Sequence, residues 1–355
     1  MPPLTRFVHY RAFHLRGVVA PASESDAIHL EALAPNLSAM IVNGSHPVFE
    51  QIDRKTSVAN MLFSGGLKDV GDDSIAPRLT ALMRSAKEDR LKTVGSGAAL
   101  VILKAGSTAS FAPSHVRELE QFAVCFDAVP EDWKDGLSRG EVSALIAALG
   151  VTLPKLIGVE KVSEAIVFFR DDGKPVFTFR FIMGRARAYV SSPVSAEDVT
   201  RVKERFRQIE AEPSLDRVVR LWHSALEKGD NLRAFLSSWN GLEIFIGKVF
   251  NEYEALTFDG LAGDLQRSSI QRYLRRIRDV MKDKYRLTDR FGLVAAHLSP
   301  SESDVDFATF SKAKDDRDSL SHGQDVDEDE LPVLEVQALT RKYLRLHLER
   351  RAAIR

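Results

Sequence analysis

The stretch NLRAFLSSWNGLEIFIGKVF, residues 231 to 250, decides the fold of the second half of the chain. Leu232, Phe235, Leu236, Trp239, Leu242, Ile246, Val249 and Phe250 recur at spacings of three and four, which predicts a helix with one continuous apolar stripe. Such a stripe must be buried against another element. The surrounding sequence supplies partners of the same kind, making five helical segments in all with residues 231–250 counted among them. One carries Ile270, Tyr273, Leu274, Ile277 and Met281. Another runs from about Asp306 to His322 and stops at Gly323, a natural cap. The last begins at Pro332 behind five acids (Asp325, Asp327, Glu328, Asp329 and Glu330), which suit the positive end of a helix dipole, and continues through Val336, Leu339, Tyr343 and Leu346. The expected architecture for residues 214–355 is an all-α helical bundle.

Moving toward the N-terminus, a polar helix over about Ser195 to Glu210 leads into Glu212-Pro213-Ser214, so the domain junction is placed between 193 and 214. Before it the apolar residues come in short runs: Ala98 to Leu103, Phe122 to Phe126, Ala165 to Phe169 and Val176 to Ile182. The last two flank Asp171-Asp172-Gly173-Lys174-Pro175, a hairpin signal. Val142 to Leu149 predicts a short helix ending at Gly150. Ala27 to Leu33 and Leu37 to Val42 fit a strand or a short helix equally. Residues 1–200 are therefore expected to form a mixed α/β domain, a sensor or targeting module of open role, giving an α+β N-terminal domain followed by an all-α one.

Bulk properties narrow the function. With 44% apolar and 28% charged residues the composition is that of a soluble globular protein, and no run of about 18 apolar residues suggests a membrane span. The N-terminus lacks the pattern of a secretion signal, so a cytoplasmic location is expected. Cys125 is the only cysteine, which excludes an intramolecular disulfide and a cysteine-clustered zinc site. The nine histidines are scattered, and neither a metal nor a cofactor is expected. A formal net charge of −1 gives no overall attraction to nucleic acid, so any contact needs a local patch. Residues 267–290 offer one: Arg267, Arg272, Arg275, Arg276, Arg278, Lys282, Lys284, Arg286 and Arg290 face only Asp279, Asp283 and Asp289. Arg272, Arg275, Arg276 and Lys282 are candidates for tracking a phosphate backbone. A solvated helix face is the structural alternative.

The most specific segment is Arg317-Asp318-Ser319-Leu320-Ser321-His322-Gly323. Arginine presents fixed donors to a phosphate, and histidine titrates where a general acid or base is useful. Here the chain resembles the HEPN superfamily and, within it, the Apea-like group, whose signature is Arg, a polar residue, three further residues, then His. Trp239-Asn240-Gly241-Leu242-Glu243 is similar to the family's second helix. The resemblance covers about residues 215–350. It implies a metal-independent endoribonuclease acting through the RNA's 2′-hydroxyl, often in bacterial defence or toxin systems. Arg317, Asp318 and His322 would be catalytic, with Glu243 and Ser321 in support. It also implies a homodimer through the helical domain, because two copies of the motif build one site in that family. RNA and a second copy are thus the expected partners, a regulatory partner is left open, and no membrane is involved. The family's toxin members that are modified on a tyrosine two positions after the His differ from this chain, which has Gln324 there.

Geometry and packing leave a second explanation open. Five residues along a helix turn through about 140°, so Arg317 and His322 do not share a face. Arg317 falls on a stripe with Phe307, Phe310, Ala313 and Leu320, where a carboxylate such as Glu243 or Asp318 has to satisfy it, and His322 is placed to cap helix carbonyls. The alternative to a nuclease is a non-catalytic HEPN-like protein for RNA binding, dimerisation or scaffolding.

Overall fold

The computed structural model describes residues 4–50, 52–54, 57, 75–95, 97–111, 137–170, 175–181, 193–227, 230–264, 268–281 and 284–354. The chain divides into two compact units. One comprises Met1–Leu145 and Thr152–Arg207, the other Ile146–Val151 and Gln208–Arg355.

The first unit is built on six strands: β1 (Leu4–Val19), β2 (Ala27–Ala34), β3 (Leu37–Asn43), β4 (Gly97–Phe111), β5 (Gly158–Arg170) and β6 (Pro175–Phe181). They form one sheet in the order β2-β3-β4-β1-β5-β6, with every neighbouring pair antiparallel. The two segments left open by their sequences, 27–33 and 37–42, are therefore the edge strand β2 and its neighbour β3. The hairpin residues 171–174, like Phe122 to Phe126 with Cys125, lie outside the described residues, but the strands on either side of 171–174 pair, with Phe168 opposite Phe177.

β1 is the centre of the sheet although its sequence is laced with charge. Arg11 stands opposite Glu164 of β5, its Nε donates to Glu164 Oε1 at 2.9 Å, and His9 Nε2 bonds the same oxygen at 2.8 Å. Lys161 donates to Oε2 at 3.1 Å. Burial drives the Glu164 carboxyl upward, yet these hydrogen bonds and charges outweigh it and hold it well below the usual carboxylate range.

Helix α1 (Ile75–Val94) lays Val94 into a cluster with Ala12, Val42, Phe49, Ala99, Val101 and Val162. One turn earlier the buried Arg90 pairs with Asp53, donates from Nε to the Gly44 carbonyl at 2.7 Å and lies 4.3 Å over the Phe49 ring. Helix α2 (Leu137–Thr152) is buried nearly all round from Val142 to Val151, as expected of a helix apolar on every face. It runs through Gly150 instead of ending there. A Cβ at Gly150 would sit 3.0 Å from Leu226 and 3.1 Å from the Trp222 indole nitrogen, so the glycine serves close packing, not capping. Helix α3 (Ala196–Glu210) starts on a reciprocal cap: Asp198 N donates to Ser195 Oγ and Ser195 N to Asp198 Oδ2.

The second unit is an all-α bundle of α4 (Asp216–Leu226), α5 (Asn231–Asp264), α6 (Ser268–Met281), α7 (Leu287–Leu298), α8 (Ser303–Ser321) and α9 (Val333–Ile354). One helix more than expected is present: α7 buries Phe291, Val294, Ala295 and Leu298. The α6 stripe is corrected too, since Tyr273 is 64% exposed. Aromatic contacts form the bundle's centre. Phe310 of α8 stacks on Trp239 of α5 at 5.0 Å between ring centroids and on Phe291 of α7 at 4.1 Å, and Phe291 meets Tyr343 of α9 edge-on at 5.1 Å. The Tyr343 hydroxyl donates to the buried Asp306, which Lys342 also engages. Among the described residues, no helix is long and apolar enough to cross a membrane.

Two outcomes follow from this packing. Phe310→Ala removes a fully buried ring from the stack and should cost about 3–5 kcal/mol in denaturant unfolding of the bundle, whereas Val305→Ala, on the exposed side of α8, should change stability by no more than about 0.5 kcal/mol. Burial, and then the Arg351 charge, push the His347 imidazole from 6.5 down to about 4, against the opposing pull of Glu212; its Nδ1 is hydrogen-bonded to the Tyr253 hydroxyl at 2.9 Å. The unfolded chain takes up this proton below about pH 6.5 and the folded chain only near 4, so stability should fall with pH across that window by up to about 1.4 kcal/mol per unit. His347→Gln should flatten that part of a melting-temperature profile measured against pH.

Candidate functional site

The α8 C-terminus is set by glycine. Gly323 adopts φ +70°, a conformation that side-chain-bearing residues rarely take. Its N–H donates to the Leu320 carbonyl at 3.2 Å and that of Gln324 to the Ser319 carbonyl at 3.0 Å, which closes the helix in a Schellman turn. His322 is the last residue before this turn. It is exposed, and its N–H donates to the Asp318 carbonyl at 3.0 Å. Its imidazole thus stands at the negative end of the helix, in solvent.

One and a half turns earlier, Arg317 is about one-third exposed and held by two carboxylates. Its Nη1 donates to Asp318 Oδ1 at 2.9 Å, and its Nη2 lies 3.7 Å from Glu243 Oε2. Trp239 Nε1 donates to that same Glu243 oxygen at 3.1 Å. The Lys314 ammonium first, and the Arg317 guanidinium after it, hold the Asp318 carboxyl below its usual range. Ser321 Oγ donates to the Arg317 carbonyl at 2.9 Å, so its hydroxyl serves its own helix.

Arg317 also borders a cleft of about 590 Å³ formed by α4, α5, α7, α8 and Tyr285. Arg217, Arg290, Asn240, Glu243 and Tyr285 are its other polar walls, with Leu221, Ile244 and Leu287 apolar between them. The structure therefore brings Arg317, Asp318 and Glu243 together and leaves His322 beyond them at the helix end. Arg272, Arg275 and Arg276 lie exposed on α6 and do not line the cleft; Lys282 falls outside the described residues. Arg217 and Tyr285 were not legible as site residues, because the cleft draws single side chains from separate elements and leaves no local pattern. Asn240, next to Trp239 on α5, carried the one available signal: a polar residue beside an apolar helical stripe.

Among the described residues, no group of three or more His, Cys, Asp or Glu side chains could hold a metal ion. No protein-family model, curated protein or solved structure matches the chain.

With both partners about one-third exposed, the Arg317–Glu243 contact is screened by solvent. A double-mutant cycle with Arg317→Gln and Glu243→Gln should give a coupling below about 1 kcal/mol. A coupling of several kcal/mol would show the pair to be a structural necessity of the bundle.

Proposed function

We propose that the chain is an endoribonuclease of the HEPN type, cutting RNA without a metal through attack of the substrate's own 2′-hydroxyl. The observation that carries this reading is the end of α8: a guanidinium lining a cleft and an imidazole exposed to solvent, five residues apart, on a helix stopped by Gly323. The chemistry needs a group near neutrality to take the 2′-hydroxyl proton or return one to the leaving oxygen, and fixed positive charge over the phosphate as it gains negative charge. His322 fills the first role and Arg317 the second, while Asp318 orients the guanidinium.

A single bundle leaves the pair on different faces, so the site is completed by a second copy whose α8 meets the first. Exposed Val305 and Phe307 on α8 give such a meeting apolar area to cover. Exposed Arg272, Arg275 and Arg276, with Tyr273 projecting among them, suit a strand's phosphates and one of its bases. The N-terminal sheet would sense or position, and a role in bacterial defence or a toxin system belongs to the same proposal.

The second reading is a non-catalytic protein that keeps the helical domain for RNA contact or dimerisation. It draws on Arg317 already having two carboxylate partners, which a purely structural arginine also requires.

The purified chain is expected to cleave RNA in EDTA, and His322→Ala and Arg317→Ala should each lower the rate by roughly a hundredfold or more with unchanged helical content. Full activity in His322→Ala would remove that residue from the mechanism, and RNA binding with no cleavage would favour the second reading.

A further inference from the structure

The two ends of α5 lie beside patches of opposite charge. At its start, Asn231 Nδ2 donates to Asp329 Oδ1 at 3.1 Å, which ties the acidic segment Asp325, Asp327, Glu328, Asp329 and Glu330 to that end of the bundle. The segment is held in shape: Asp327 Oδ1 accepts from the Asp329 N–H at 2.9 Å, and the next two residues, Leu331 and Pro332, are buried. All five acids are exposed, and none has a Lys or Arg partner among the described residues. Neutral donors such as Asn231 leave their charge uncancelled. Leu334, exposed at the start of α9, projects beside them.

The other end is basic. Arg278 of α6 points inward, its Nε donating to Oε2 of the buried Glu254 at 3.0 Å, and Glu254 lies about 35 Å along α5 from Asn231 at the usual helical rise. With Arg278 turned in, helix periodicity places Arg272, Arg275 and Arg276 on the outward arc of α6, and all three are exposed. None has a carboxylate partner among the described residues, and α6 carries a single acid, Asp279. Tyr273 and Val280, two turns apart along one edge of the same arc, are exposed as well. A separation of about 35 Å is several Debye lengths at about 0.1 M salt, so the two patches of one chain cannot neutralise each other. Those of two chains can.

We propose that the acidic end of one copy docks on α6 of the next, with segment 325–330 against Arg272, Arg275 and Arg276, and Leu334 against Tyr273 and Val280. Charge complementarity names the occupant. The acids and the arginines are each left over within a chain whose formal net charge is −1, and each patch sets an exposed apolar residue among its charges, the combination of anchor and polar rim found in interfaces. Because the two patches differ, the contact is head-to-tail, and repeating it gives a ring or a filament of copies in place of a two-fold pair. It is therefore separate from the meeting of two α8 helices, and it stands whether or not the chain cuts RNA. A copy seated on α6 covers the arginines that an RNA strand would use, so assembly and RNA exclude each other there.

The test is light scattering coupled to gel filtration on the concentrated full chain, freed of nucleic acid, at about 0.1 M and about 1 M salt, where the Debye length falls from about 10 Å to about 3 Å. At the lower salt the parent should run at a weight-average mass roughly twofold or more above that at the higher. Reversing either patch, by Arg272→Glu with Arg276→Glu or by Glu328→Lys with Glu330→Lys, should remove the excess mass. Mixing the two reversed proteins should restore it, because each then offers the charge that the other's altered patch requires. His322→Ala, which ends cleavage if the nuclease reading holds, should assemble as the parent does, so the two proposals fail separately. All four reversed residues are exposed, and the salt dependence of the parent decides the matter even if a reversed protein misfolds. A mass independent of salt, or reversed proteins that each assemble alone like the parent, overturns the proposal. So does a mixture that stays dispersed while both variants keep the parent's circular dichroism.

Discussion

The rest of the helical unit depends on one stack: Phe310 held between Trp239 and Phe291. Rings in face contact fix both the height and the rotation of α8 on its neighbours, because a shift along the helix by one residue would turn Phe310 away by about 100°. From that fixed point the site follows by helix geometry. Seven residues are close to two turns, so Arg317 leaves α8 on nearly the same side as Phe310, and Glu243 lies one turn beyond Trp239 on α5. Trp239 joins the two relationships, stacking on Phe310 through its rings and holding Glu243 through its indole N–H. The same residue therefore packs the core and sets the carboxylate that faces Arg317.

Much of this was written in the spacing of apolar residues. The α5 stripe, the Gly323 cap and the start of the last helix are local signals, and each depends on chemistry within one or two turns. α7 escaped although Phe291, Val294, Ala295 and Leu298 have helical spacing, because the stripe is short and a basic run precedes it. In the first unit the legibility is lower for a physical reason. β1 carries His9 and Arg11, which look like surface residues until Glu164, more than 150 positions later, neutralises them across the sheet. Gly150 misled in the opposite way, its role being defined by Trp222 and Leu226 at the point of contact and not by its own backbone.

The candidate site divides along the same line. Arg317, Asp318 and His322 lie within one turn and a half and could be found as a motif, and Glu243 could be inferred from the need to balance a guanidinium on a packed stripe. Arg217, Arg290, Asn240 and Tyr285 come to the cleft from α4, α7, α5 and the segment before α7, and only tertiary packing assembles them. Charge tells a related story. The chain is nearly neutral overall, yet its arginines are distributed unequally between paired positions, such as Arg201 with Asp198 at the surface and Arg278 with the buried Glu254, and the less neutralised cleft.

In the function proposed above, a guanidinium and an imidazole brought to one phosphodiester would direct the neighbouring 2′-hydroxyl onto phosphorus and expel the 5′-oxygen. The ends of the RNA fragments record that step. The account predicts that fragments made by the purified chain in EDTA carry 2′,3′-cyclic phosphate on one side of the cut and 5′-hydroxyl on the other. Fragments with 5′-phosphate and 3′-hydroxyl ends, the products of attack by water from the other side, would contradict it.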